Sequence, residues 1–226
     1  MTRTNIAVFA SGSGSTAEAF IRDAHTRQYP FDVKLIITNN SDAFVLERVK
    51  NLNAELGLQM ETAIVNSHTQ PTAKSVVHGQ QTEEEQAAIL ALLSQYNVDL
   101  VLLLGYMKRV GQKLLNEYGW LPSYTSIYQA RMLNTHPGLL PQTIGTHGRG
   151  TQEFTLTEGM TEAGQTLHAV AAEYDTGPHA AEHRVAVMPD DTPDTLFARV
   201  QETEKEHLAA DVLAFVEAQQ VFRKEE

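Results

Sequence analysis

The hydrophobic and polar positions of the chain alternate between short apolar runs and amphipathic stretches. Residues 6–10 are apolar throughout and read as a buried strand. A Ser-Gly-Ser-Gly-Ser-Thr turn over 11–16 follows, then a helical pattern from Ala17 to about Thr26. Residues 31–38 read as a second strand. Asn-Asn-Ser-Asp over 39–42 reads as a turn and helix cap, and the next helix runs to about Leu56. Residues 61–65 form a third, weaker strand, and the polar stretch 66–82, with Pro71 and Gly79, is a loop. Thr82 opens a helix with Glu83, Glu84 and Glu85 in its first turn, where the macrodipole favours acids. Ala87, Ala88, Leu90, Ala91 and Leu93 are its expected apolar side. Residues 98–104 are apolar at nearly every position, the pattern of a central parallel strand buried on both faces.

The second half is less regular. A short helix is expected over 110–118, a connecting loop over 119–129 and a strand over 131–136. A loop over 145–150 leads into a helical stretch from Thr151 to about Glu158. Residues 166–173 alternate weakly and read as a strand, 174–178 as a turn, and 183–187 as a further strand. Thr192, Pro193 and Asp194 open the last helix with a cap residue, a first-turn proline and an acid. Leu196, Val200, Leu208, Val212 and Phe215 are expected to face inward, and the tail 223–226 to fray. Strand and helix alternate early, and short turns join the later strands. The expected architecture is therefore α/β, a Rossmann-like doubly wound, mostly parallel sheet with an antiparallel edge. No linker marks a boundary. One domain over 1–226 is expected, with a phosphate-binding lobe over about 1–110 and a catalytic lobe over about 111–226.

Composition narrows the function. Hydrophobic residues are 42% of 226, enough for a substantial core. A net charge of −11 argues against a protein that grips a nucleic-acid backbone. The absence of cysteine removes thiolate nucleophiles, disulfides and cysteine-ligated zinc. The longest apolar run, 100–104, is too short to span a bilayer. With no signal-type apolar region at the start, a cytoplasmic location and no membrane partner are expected.

The chemistry centres on Asn-Thr-His-Pro-Gly-Leu-Leu-Pro over 134–141. A residue before proline is biased to extended backbone, which places His136 at the end of a strand. Side chains two apart on a strand share a face, so Asn134 and His136 project together. An amide donor beside an imidazole suits a reaction in which a carbonyl oxygen becomes an oxyanion. The glycine turn and the helix after it offer backbone N–H groups to an anion. In a doubly wound sheet, the segments 12–16, 105–109 and 134–141 all lie at the strands' C-terminal ends, where ligands bind.

These pieces together resemble the phosphoribosylglycinamide formyltransferases, folate-dependent enzymes of purine synthesis. The matching segments are 11–15, 104–107, 133–141 and the Asp-Thr-Gly-Pro of 175–178, in the family's order, and 200–204 looks like its late helix. The resemblance implies the formyltransferase fold and transfer of a formyl group from 10-formyltetrahydrofolate, a co-substrate, to the amine of glycinamide ribonucleotide, without a metal. It implies Asn134, His136 and Asp175 as the catalytic trio, with Asp175 raising the pKa of His136. Gly14, Ser15 and Thr16 would hold the substrate phosphate, and Gln201 and Glu204 its ribose side. Met107, Lys108, Arg109 and Val110, with Asn134, Ala171, Ala172, Glu173 and Tyr174, would line the folate pocket. The implied partners are small molecules, with the chain a monomer or homodimer. Ser13 and Thr16 stand where the family usually has asparagine, and Gly138 where it has a small hydroxyl or alanine. The segment 119–131 is longer than the family's, and 66–82 does not align.

Other readings compete. A nicotinamide oxidoreductase wants a third glycine and an acid closing the second strand, but that strand closes with Thr38, Asn39 and Asn40. His168, His179 and His183 lie near Asp175 in sequence, but Gly177 and Pro178 preclude a continuous helix. They read as surface or core histidines. His147 matches a family histidine and reads as a packing residue. A formyltetrahydrofolate deformylase uses the same trio with water as acceptor, usually behind an extra N-terminal regulatory domain that this sequence does not show. A transferase for initiator methionyl-tRNA wants a basic C-terminal domain. A non-catalytic folate- or nucleotide-binding relative would keep the pocket and lose the trio.

Overall fold

The computed structural model describes residues 3–225. Its centre is a seven-stranded sheet in the order β3-β2-β1-β4-β5-β6-β7. The strands are β1 (Thr4–Phe9), β2 (Phe31–Thr38), β3 (Glu61–Ile64), β4 (Leu100–Leu103), β5 (Met132–His136), β6 (Glu162–Ala169) and β7 (His179–Ala186). The first five pair in parallel, and β6 and β7 add an antiparallel edge. The chain builds outward from β1 to β3, then returns to lay β4 on the other side of β1. That reversal opens a crevice at the strands' C-terminal ends. β4 is buried at every residue, as its unbroken apolar run requires of a central parallel strand.

Helices cover both faces. α1 (Ser15–Thr26), α2 (Val45–Leu56) and the long α6 (Pro193–Glu225) pack Phe20, Val49, Leu52, Leu208 and Val212 against one side. α3 (Glu83–Gln95) and α4 (Gln112–Tyr118) pack Ile89, Leu93 and Leu114 against the other. α5 (Arg149–Thr157) sits beside α6. Among the described residues no helix is long and apolar enough to cross a membrane.

Several local expectations change. α2 begins at Val45, not after a cap in 39–42. Asn40 Oδ1 instead accepts the Asp42 N–H at 3.0 Å in an Asx turn, so those polar residues are consumed before the helix starts. α3 starts behind Thr82 as expected, and Thr82 and Glu85 form a capping box there, but its buried side is Glu85, Gln86, Ile89 and Leu93, with Ala87 and Ala91 exposed. Glu85 is buried because Lys108 neutralises it, and Gln86 because its side chain binds Thr82 O and Lys113 N–H. β6 lies four residues earlier than the weak alternation suggested. It is sandwiched between β5 and β7 and buried at every residue after Glu162, so alternation carries little signal there. β7 also starts earlier, at His179. The five expected apolar positions of α6 do face inward, and Glu204 joins them. The tail stays helical to Glu225, and Glu226 lies outside the described residues.

Candidate active site

β1, β4 and β5 end along one cleft of about 620 Å³, and every residue expected at the site lines it. The first wall is the turn after β1. Gly14 takes φ +69° as the N-cap of α1. A Cβ there would collide with the Val45 side chain, so glycine is needed for both backbone and space. Arg48 Nε donates to Ser13 O at 2.7 Å and holds the turn in place. Ser11 fastens it to the neighbouring loop: its Oγ accepts the Met107 N–H at 2.8 Å and donates to Asn39, while its own N–H reaches Gly105 O. Thr16 Oγ1 donates to Glu204 Oε2 at 3.3 Å across to α6. Burial pushes the Glu204 carboxyl above the usual carboxylate range, against the lowering effect of the Thr135 and Thr16 hydroxyls. Gln201 lies one turn earlier on the same cleft-lining face. Phe197, which nothing in the sequence patterning singled out, lines the cleft a further turn back.

The second wall is the loop after β4. Met107 is 62% exposed, an apolar surface open to a ligand. Lys108 reaches the wall, but its ammonium sits 2.6 Å from the buried carboxylate of Glu85, so it brings a methylene stem and not a free charge. Arg109 Nη2 donates to Ala172 O at 2.8 Å, and its guanidinium lies 5.8 Å from the Tyr174 ring centroid. It thereby ties this loop to the 171–174 segment on the far side of the mouth. Burial pushes the Tyr106 phenol up to about 12, so it stays neutral.

The third wall brings together the expected trio. Asn134 and His136 project from the end of β5, and Pro137 ends the strand as the motif requires. The β6–β7 turn swings Asp175 in beside them. Asp175 holds φ +57°, uncommon for a residue with a side chain and typical of positions fixed by their surroundings. Its carboxylate stands 3.5 Å from His136 Nδ1 and 3.5 Å from His168 Nε2, with all three side chains less than a tenth exposed. His168 was expected to be a surface or core histidine. It is a member of the site, because β6 pairs Asn134 directly with it. Its Nδ1 donates to Ala169 O at 3.0 Å, which leaves Nε2 to accept from Asn134 Nδ2 at 3.1 Å. That bond orients the Asn134 amide and leaves its second N–H for a ligand. His147, expected only to pack, also lines the cleft. Cross-strand pairing with Asn134 marks His168, but that register is invisible until β6 is placed.

Asp175 acts on the His136 pKa in the expected direction, but the net shift is downward. Burial pushes the imidazole below its ordinary value, and Asp175 only partly opposes that shift. At neutral pH the ring is therefore uncharged, a proton acceptor before it is a donor.

A doubly wound sheet whose crevice joins a helix N-terminus to an amide, two imidazoles and a carboxylate defines an α/β protein equipped for oxyanion and proton chemistry. The sequence profile of the formyl transferase family matches residues 4–212, and the chain belongs to that family. It is 31% identical to phosphoribosylglycinamide formyltransferase of Escherichia coli K12 over 202 residues, covering 88% of this chain and 81% of that one. The Mycobacterium tuberculosis H37Rv enzyme of the same name is 32% identical over 209 residues, covering 92% and 83%. The crystal structure of phosphoribosylglycinamide formyltransferase from Bacillus halodurans superposes with a TM-score of 0.76 at 30% identity, over 94% of this chain and 95% of that one. Glycinamide ribonucleotide transformylase 1 from Symbiobacterium toebii gives 0.76 at 29% identity, over 96% and 89%.

Proposed function

We propose that this enzyme transfers the formyl group of 10-formyltetrahydrofolate to the amine of glycinamide ribonucleotide. The observation that carries the reading is the convergence of Asn134, His136 and Asp175 on a cleft that also takes in the Gly14 turn. The names and extent of the matching relatives support it. The acceptor's phosphate rests on the backbone of Gly14, Ser15 and Thr16 at the α1 N-terminus. Its ribose lies against Gln201 and Glu204. The pterin sits between Met107–Val110 of the second wall and the 171–174 segment, with Lys108 contributing its stem.

The acceptor amine attacks the formyl carbon, and the carbonyl oxygen becomes an oxyanion held by the free N–H of Asn134. Neutral His136 takes the proton that the nitrogen sheds on forming its bond. Asp175 stabilises the resulting imidazolium. When the bond from carbon to N10 breaks, His136 returns that proton to the leaving nitrogen, giving the formamide and tetrahydrofolate. No step consumes a metal or an oxidant. Both substrates are soluble small molecules, which is compatible with a cytoplasmic setting.

The test is formyl transfer measured with and without glycinamide ribonucleotide. Donor consumption that requires the amine supports the reading. Equal loss of formyl without it identifies a hydrolase instead.

A further inference from the structure

The two ring nitrogens of His136 have different surroundings. Nδ1 faces Asp175 on the cleft side. Nε2 lies 2.9 Å from Thr143 Oγ1. Thr143 is 1% exposed and sits behind the wall that its neighbours Gly145 and Thr146 present to the cleft. The Thr143 hydroxyl also stands 3.0 Å from Leu139 O, an acceptor that takes the hydroxyl hydrogen. The hydroxyl oxygen is then left to accept a hydrogen from Nε2. Gly138 makes room for this contact. A Cβ there would collide with Thr143 Oγ1 and stand 2.9 Å from His136 Nε2.

Resting on the formyl-transfer reading, we infer that Thr143 is a positioning residue that fixes a hydrogen on Nε2 of His136 and leaves Nδ1 as the nitrogen that exchanges protons with the reacting groups. The Nδ1–Asp175 distance agrees. At 3.5 Å it is long for a charge-assisted hydrogen bond, as expected when Nδ1 carries a lone pair and no hydrogen. During transfer the proton enters at Nδ1 from the attacking amine, rests beside Asp175, and leaves from Nδ1 to N10. The Nε2 hydrogen never moves, and the Thr143 oxygen accepts it throughout. Burial depresses the basicity of this ring, and a hydroxyl oxygen that accepts the Nε2 hydrogen favours the charged ring.

The experiment compares Thr143→Val, which keeps shape and removes the hydroxyl, with Thr143→Ser, which keeps the hydroxyl. Losing a hydrogen bond to a group that becomes charged predicts about a ten- to hundredfold fall in kcat for valine. Its KM values should stay within about twofold and the acid limb of its pH profile should move to lower pH, with serine near wild type. A valine variant with wild-type kcat and pH profile overturns the inference, as does a serine variant that loses as much as valine. Should valine not fold, nitrogen resonances of the wild-type histidines decide. Tetrahydrofolate should shift Nδ1 of His136 and leave a slowly exchanging Nε2–H unmoved; a responding Nε2 overturns the assignment. Wild-type protein that fails to formylate glycinamide ribonucleotide defeats the functional reading, and the resonance test still decides Thr143.

Discussion

The two ends of the cleft are built on different physics. At the Gly14 end the sequence supplies a shape: a left-handed glycine, a helix N-terminus and an arginine bracing the turn. At the Asp175 end it supplies a network of buried side chains, Asn134 to His168 and Asp175 between two imidazoles. A backbone cradle tolerates changed side chains, because its donors are peptide N–H groups. Ser13 and Thr16 in place of the family's usual asparagines are compatible with it for that reason. A buried network tolerates little, because its groups are held against one another out of water and a change in one alters the surroundings of the rest.

This contrast can be broken by experiment, starting where the effect is largest. Asp175→Asn keeps shape, turns one acceptor oxygen into an amide donor and removes the charge beside the imidazole. It should lower kcat by about a hundredfold or more while moving Tm by no more than about 2–4 °C. Turnover and thermal melts on the same preparation check this, and matched losses in both would make Asp175 merely structural. Gly14→Ala acts on the shape at the other end. The left-handed backbone and the Val45 collision should cost about 1–3 kcal/mol in a urea melt and raise KM for the acceptor more than for the folate. An unchanged melt would mean that the turn relaxes freely.

The pH dependence sharpens the comparison further. If neutral His136 is the proton acceptor, the rate is present at neutral pH and is lost as pH falls through a pKa below the ordinary imidazole value. Asp175→Asn should push that limb lower still, because it removes the effect opposing burial. A limb at or above the ordinary value would contradict this. Glu204 has the opposite sign. Its carboxyl is raised by burial, so the ionised form burdens the fold as pH rises through that elevated pKa. Glu204→Gln should therefore raise Tm more at pH 8 than at pH 5 and weaken acceptor binding. An equal gain at both values would dissociate stability from ionisation. Smallest is Ser13→Ala, whose exposed hydroxyl only accepts the Ser15 N–H at 3.4 Å. It should change stability by less than about 0.5 kcal/mol and leave KM near wild type. A large rise in acceptor KM would show that the side chain, and not the backbone, holds the phosphate.

Much of this site was legible along the chain because its pieces are local. The glycine turn, the proline after His136 and the acid-rich helix start at Thr82 each depend on neighbours a few residues away, and each lies where the pattern placed it. What could not be read depends on distant partners. Lys108 looks like a free cation until Glu85 is found against it. His168 looks like one histidine among several until β6 takes its register beside β5. β6 itself was misplaced because a strand covered on both faces has no alternation to read.

The sequence by itself determined the alternation of strands and helices, the positions of the glycine turn and the Asn134/His136 pair, and the kind of chemistry such groups can perform. Those features follow from propensity, spacing and side-chain chemistry, which act over a few residues. Only the tertiary structure decided which group sits beside which. It closed the Asp175 turn over His136, brought His168 to Asn134, set Thr143 behind the ring, and buried the imidazole deeply enough that desolvation outweighs the carboxylate next to it. A pKa or a tautomer is set by the whole surrounding volume, and that volume exists only once the chain has folded.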